Sequence, residues 1–403
     1  MRDPALVEVT GPLAPFADGF RIRLELLGYA REPQVVHLRL MTHLSCWLGE
    51  RGLDGSALTA PLVAGFVADR RAGGHRTARS ARSLRPLLEY LREASAAPQP
   101  VREKPADAVE VVLAEYASHL ARERGLAAVT IERSTDLVRP FVRARVIGRR
   151  VDLETLQCAD VTAFMLARSR ASSAATVQRT GTALRSFLRF VHLRGMTGSS
   201  LVGAVPTAAN WKLSGLPKYL TWKQVDLLLA SCDRATGIGQ RDAAILTLLA
   251  RLGLRASEVA ALRLEDLGWQ RGEITVRGKG NRYERLPLPV DVGEVLVAYL
   301  KSARLGADGV REVFVGTRAP HHPMTRGAVT QLVARASSRC GLGTIYAHRL
   351  RHSAATGMLH AGASLEEIGQ VLRHRNALTT AGYAKVDHEG LRALARPWPG
   401  EAA

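Results

Sequence analysis

GLRASEVAALRLEDL, residues 253–267, and HRLRHSAAT, residues 348–356, are the two stretches on which the reading of this chain turns. In the first, Arg255 stands just before Ser257, a good N-cap for the apolar helix that follows. Arg255 is therefore expected beside a helix N-terminus, a region already favourable to a phosphate. In the second, His348 and Arg351 are three residues apart on a helix expected to run through Ala354, Ala355 and Met358 to Gly362. At about 100° per residue that spacing brings both side chains to one face. His352 points away from Arg351 by the same arithmetic and is expected to be structural, and Tyr346 is expected to pack.

Around these stretches lie three more candidates. Lys279 sits between Gly278 and Gly280, at the tip of a hairpin expected from the β-type runs Glu273–Arg277 and Tyr283–Leu288. Ser364 to Glu367 reads as a capping box opening a helix with Ile368, Val371 and Leu372, and His374 falls at its C-terminal end. Tyr383 comes nine residues later, and an unbroken helix would aim the two side chains oppositely. A shared site therefore requires a break, which Asn376 and Thr379-Thr380 can supply, with Gly382 allowing close approach before Tyr383. Upstream, Thr221 is expected to cap a helix through Leu229.

The N-terminal half is helical and repeats itself loosely. Leu62 to Arg70 followed by Leu84 to Arg92 parallels Val161 to Arg168 followed by Leu184 to Phe190. In both copies the second block carries apolar residues at i, i+3, i+4 and i+7, with arginines left on the other side. Ala96-Ala97-Pro98-Gln99-Pro100 reads as a linker, and a second break lies at Gly203 to Pro217. These features predict an N-terminal helical domain over 1–104, a second helical domain over 105–205, a linker over 206–218 and a domain of mixed texture over 219–403. The fold class is mainly α with a small antiparallel sheet (α+β).

Composition narrows the function. The 403 residues are 46% hydrophobic and 23% charged, which excludes disorder and collagen. A net charge of +19 points to a polyanionic partner, with nucleic acid first, although only seven of the 56 basic residues are lysines and GC-rich coding alone favours arginine. The start, Met1-Arg2-Asp3-Pro4, lacks the apolar core of a signal peptide. No stretch approaches the roughly 20 apolar residues of a membrane span, so a cytoplasmic protein without membrane contact is expected. Cys46, Cys158, Cys232 and Cys340 are too scattered for a metal site or disulfide framework and are expected to be buried free thiols.

Taken singly, each candidate is the kind of residue that solvent or packing explains. Together, GLRASEVAALRLEDL, the Gly-Lys-Gly turn, the H-x-x-R of HRLRHSAAT, and Leu372-Arg373-His374 with Tyr383 nine residues after the histidine resemble the motifs of the tyrosine recombinase (phage integrase) family in order and near spacing. The resemblance is strong over about 219–390 and weaker over 106–200, where it is to the family's helical core-binding domain. One departure stands out: Arg373 occupies a position where the family commonly has glycine.

The resemblance implies a multidomain DNA clamp and a site-specific recombinase that needs no metal, ATP or other cofactor. Tyr383 would be the nucleophile forming a covalent 3′-phosphotyrosine, a bond that conserves energy for resealing. Arg255 and Arg351 would grip the non-bridging oxygens, Lys279 would be the general acid, and His348 and His374 would hydrogen-bond the phosphate and assist proton transfer. Glu258 would orient the arginines. Arg76, Arg79, Arg82 and Arg85 of the first copy and Thr176, Gln178, Arg179 and Arg185 of the second are expected to contact DNA, mostly its phosphates. The expected partners are paired double-stranded recombination sites bound by a homo-tetramer, with a possible accessory directionality factor. Leu391, Leu394 and Trp398 of the tail are candidates for docking on a neighbouring protomer. The additional N-terminal copy favours a mobile-element enzyme. The alternatives are type IB topoisomerase-like relaxation, against which the repeated helical domain and close motifs speak, and a non-cleaving DNA-binding regulator, which would have no reason to keep Tyr383 and Lys279 together.

Overall fold

In the first hundred residues, apolar side chains at helical spacing form α1 (Ala17–Leu26), α2 (Arg31–Gly49), α3 (Ala60–Ala72) and α4 (Ala81–Glu93). They close on a core that includes Phe20, Leu44, Phe66, Leu84 and Leu91. The computed structural model describes residue 4 and residues 7–74, 80–100, 107–207, 219–278, 282–304, 309–373 and 380. Contacts divide the chain into two units, residues 1–100 with 215–403 and residues 101–214. Within the first unit, the core of α1–α4 and the core of residues 220–350 are separate clusters.

The unit of residues 101–214 holds α5 (Ala108–Arg122), α6 (Ala128–Arg143), α7 (Cys158–Ala171) and α8 (Ala174–Leu193). Asp107 caps α5 by accepting from the Val109 N–H, and Ser173 caps α8 by accepting from the Thr176 N–H. Leu184, Phe187, Leu188 and Val191 of α8 are all buried, as are Leu84, Leu87, Leu88 and Leu91 of α4, so the two copies bury equivalent positions. Between α6 and α7 a short hairpin, β1 (Val146–Ile147) and β2 (Arg150–Val151), turns at Gly148 with φ +63°. Two residues per strand are too few to leave an alternating pattern, so the sequence did not announce it. Tyr116 anchors the core, with its ring 5.3 Å from Phe187 and 5.4 Å from Phe190.

From residue 219 onward α9 (Trp222–Ala230) starts at Thr221, whose hydroxyl accepts from the Gln224 N–H as expected. The nearly enclosed α10 (Gly237–Arg251) packs against α9, α11 (Ala256–Ala260), α12 (Val290–Ser302), α13 (Arg326–Arg339) and α14 (Ala347–His360). Even Arg241 and Asp242 are buried within α10, where they pair at 2.6 Å. A three-stranded antiparallel sheet, β3 (Leu267–Gly268), β4 (Glu273–Arg277) and β5 (Tyr283–Pro287), sets Ile274 opposite Leu286 and Val276 opposite Glu284. Ile274 and Val276 turn into the core. The last described helix is α15 (Leu365–Val371), with the expected Ser364–Glu367 capping box.

Two expectations are corrected. Cys46 and Cys158 are exposed, and only Cys232 of the four is buried. Tyr346 does not pack: it is 58% exposed, because the extended backbone before α14 buries Ile345 and Ala347 and turns the residue between them outward. Among the described residues no helix is long and apolar enough to cross a membrane.

Tyr116→Ala should open a cavity under Phe187 and Phe190 and destabilise the unit of residues 101–214 by about 3–5 kcal/mol. Thermal denaturation of the full chain followed by circular dichroism measures this; an unchanged melting profile would contradict the packing described.

Candidate active site

The site grows from Gly253, at φ +58°, a conformation that favours glycine. A Cβ there would also meet the Leu372 side chain at 2.6 Å. The Gly253 carbonyl accepts a hydrogen bond from Arg351 Nη1 at 2.6 Å, and the Leu372 carbonyl accepts from Arg351 Nη2. Arg351 is 1% exposed, so a whole guanidinium has been taken out of water and given carbonyl oxygens as partners.

Two residues after Gly253, Arg255 is itself the N-cap of α11. The expectation of Ser257 at that place is thus corrected: the helix begins at Ala256, and Ser257 lies in its first turn, exposed. Glu258, the third residue of α11, reaches back to that cap, accepting from the Arg255 backbone N–H at 2.8 Å and from Arg255 Nη1 at 2.6 Å. Its second cation is Arg373, whose Nη2 donates at 2.7 Å. Burial alone would push the Glu258 carboxyl up, but the Arg373 charge and the hydrogen bonds from Arg255 together hold it below the usual carboxylate range. Arg255 keeps 40% of its side chain exposed. The carboxylate is buried and fixed while the arginine it orients still reaches solvent.

His348 and Arg351 share α14, as their spacing predicted. Although the residue is exposed, desolvation by the surrounding chain, and then the charges of Arg351 and Arg255, lower the His348 pKa. The lowering favours the neutral imidazole, which can donate from one nitrogen and accept at the other. Its ring stands edge-on to His352, 4.4 Å away. Burial, then His348 and Arg351, lower the His352 pKa to about 4.

Thus Arg255, Glu258, Arg351 and His348 converge. Lys279, His374 and Tyr383 lie outside the described residues, as do Arg76, Arg79, Leu391, Leu394 and Trp398. α15 ends at Val371 and Arg373 takes φ +57°, while Asn376 and Thr379, where the break before Tyr383 is expected, lie outside the described residues. Thr380 is buried, with its hydroxyl beside Gly369 of α15.

Arg82 is exposed, and Arg85 pairs with Glu89 at 2.7 Å along α4. On α8, Arg179 is exposed and bonds within its own helix to the Ala175 carbonyl and Thr176 hydroxyl; Thr176 and Gln178 are half-buried. Arg185 is committed to its own unit, donating through Nη2 to the Val205 and Pro206 carbonyls and the Thr207 hydroxyl. Sequence reasoning missed the contact of Arg373 with Glu258, because no residue-type rule marks an arginine as a left-handed helix terminator.

Comparison with known proteins bears on this geometry. Residues 218–389 match the Phage integrase family, and residues 113–195 match the Phage integrase N-terminal SAM-like domain. A protein of Sinorhizobium fredii named as an integrase/recombinase, y4rA, is 39% identical over 400 residues, covering 97% of this chain and 96% of its own. Tyrosine recombinase XerD of Listeria monocytogenes is 32% identical over 280 residues, covering 68% of this chain and 94% of its own. A lambda integrase tetramer bound to a Holliday junction shares the fold, with a TM-score of 0.53 at 15% identity over 77% of this chain and 87% of that one.

Gly253→Ala should lose at least about 1 kcal/mol of stability through backbone strain alone, and more through the clash with Leu372, as read by thermal denaturation. A second expectation concerns pH. The folded-state pKa of His352 lies below its ordinary value of 6.5, so protonation favours the unfolded chain. The stability it contributes is complete above pH 6.5 and is lost as pH falls towards about 4. Melting temperatures across that window should fall less steeply for His352→Gln than for the wild type; equal slopes would refute the assignment.

Proposed function

The chain belongs to the phage integrase family, and from that premise we propose that it cuts and rejoins DNA at paired recombination sites through a covalent 3′-phosphotyrosine. Membership makes it a tyrosine recombinase, a site-specific DNA strand transferase. The observation that carries the finer reading is the convergence of Arg255, Arg351 and His348, with Glu258 fixed behind the first arginine.

The chemistry follows from charge. A phosphodiester repels nucleophiles, and two guanidiniums aimed at its non-bridging oxygens offset the charge that grows in the pentacoordinate transition state. The Tyr383 phenolic oxygen attacks phosphorus, a P–O bond to tyrosine forms, and the bond to the 5′-oxygen breaks. Lys279 gives the departing oxygen its proton, and His348 and His374 hold the phosphate and assist the phenol's proton. Reversal with a new 5′-hydroxyl rejoins the strand, so neither ATP nor metal enters the balance.

In this reading three domains, 1–104, 105–205 and 219–403, enclose the duplex, with the linker 206–218 between the last two. Arg82 and Arg179, with Arg76 and Arg79, grip phosphates, while Thr176 and Gln178 face the same duplex. Four copies assemble on two sites, and a mobile element's ends are the substrate, in the cytoplasm and with an accessory factor setting direction. A DNA-bound tetramer among the neighbours of this fold supports the assembly.

A duplex nicked beside the cleavage point, carrying the site that footprinting defines on the DNA flanking the gene, traps the intermediate. Wild-type protein should give a denaturation-resistant protein–DNA adduct, and Tyr383→Phe should give none. An adduct that persists in Tyr383→Phe would assign the nucleophile elsewhere.

A further inference from the structure

Arg373 follows the last turn of α15 and immediately precedes His374, with φ +57°. That backbone conformation is the reason a glycine suits this position, and an arginine stays there because its side chain is held. The Arg373 side chain is 6% exposed. Its Nη2 donates to Glu258 Oε2 at 2.7 Å, and its Nε lies 3.4 Å from Glu284 Oε2, an ion pair without hydrogen-bond geometry. Glu258 is the carboxylate that orients Arg255. Glu284 belongs to β5, the strand that follows Lys279 in the hairpin.

The charges decide what this arrangement does. A buried carboxylate facing Arg255 alone would neutralise it and draw its guanidinium inward, in competition with a phosphate. Here Glu258 is shared between two cations; with Glu284 beside Arg373 the four groups carry no net charge, and Arg255 is the cation with solvent access. We propose that Arg373 is a positioning residue for strand cleavage: it neutralises and fixes Glu258 so that the Arg255 charge is left for the scissile phosphate, and it ties the end of α15, from which His374 follows, to β5. This rests on the function proposed above, and the test separates the two.

The substrate is the nicked duplex, made once with the ordinary scissile phosphodiester and once with a methylphosphonate there, in which a methyl group replaces one non-bridging oxygen and the linkage is uncharged. Adduct formation is timed in single turnover beside DNA affinity and the circular dichroism spectrum. Arg373→Gly relieves the backbone while removing the charge. It should slow adduct formation roughly 10- to 100-fold on the diester with DNA affinity little changed. On the methylphosphonate, which asks less of the cations, the slowing should shrink to less than about threefold. Arg373→Lys, which keeps a charge facing Glu258, should recover most of the rate. Should Arg373→Gly lose helix content, Arg373→Met keeps the buried stem and replaces it in the same comparison. Equal slowing on both substrates, a Lys variant no faster than the neutral one, or a wild-type rate from the neutral variant would each overturn the proposal while leaving the proposed function standing. Absence of adduct from the wild type would overturn both.

Discussion

The burial of Arg351 is the constraint around which the C-terminal half is arranged. A guanidinium at 1% exposure is tolerated where its N–H groups find acceptors, and here they are the carbonyls of Gly253 and Leu372. These carbonyl dipoles accept from the buried guanidinium without themselves carrying a charge. The same two contacts fix two further chain segments. Arg255 lies two residues beyond Gly253, and Arg373 directly follows Leu372. One buried side chain on α14 thereby sets the origin of both other arginines.

Electrostatics then follow from how many cations share one carboxylate. Glu258 is held ionised between Arg255 and Arg373. Desolvation first, and then the charges of Arg351 and Arg255, lower the pKa of His348 and so favour its neutral form. Charge is thus set before any substrate arrives, which is the condition under which fixed dipoles and guanidiniums accelerate a reaction most.

Much of this was legible because the residues concerned obey local rules. Thr221 and Ser364 announced their helices through capping chemistry, the His348–Arg351 pair through helical spacing, and β4–β5 through β-type runs around a glycine turn. What stayed hidden was set by distant partners. Arg255 replaced Ser257 as the cap because Glu258 reached back to its N–H, and α11 ended after five residues. The exposure of Tyr346 depends on which neighbours face the core, and no residue-type rule supplies that. Arg373 breaks α15 against its residue type, and no single-sequence rule records two carboxylates arriving from α11 and β5.

The internal repeat makes a related point about what a shared core implies. Leu84 to Leu91 and Leu184 to Val191 bury equivalent positions, so the two four-helix groups solve one packing problem. Their polar residues differ in chemistry. In the register of the buried leucines, exposed Arg82 corresponds to exposed Thr182, so the first copy carries a guanidinium where the second carries a hydroxyl. A guanidinium suits phosphate oxygens, whereas a hydroxyl can also address a base edge. Core similarity therefore constrains fold and leaves the exposed positions free to diverge, since the buried and exposed faces of an amphipathic helix face different surroundings.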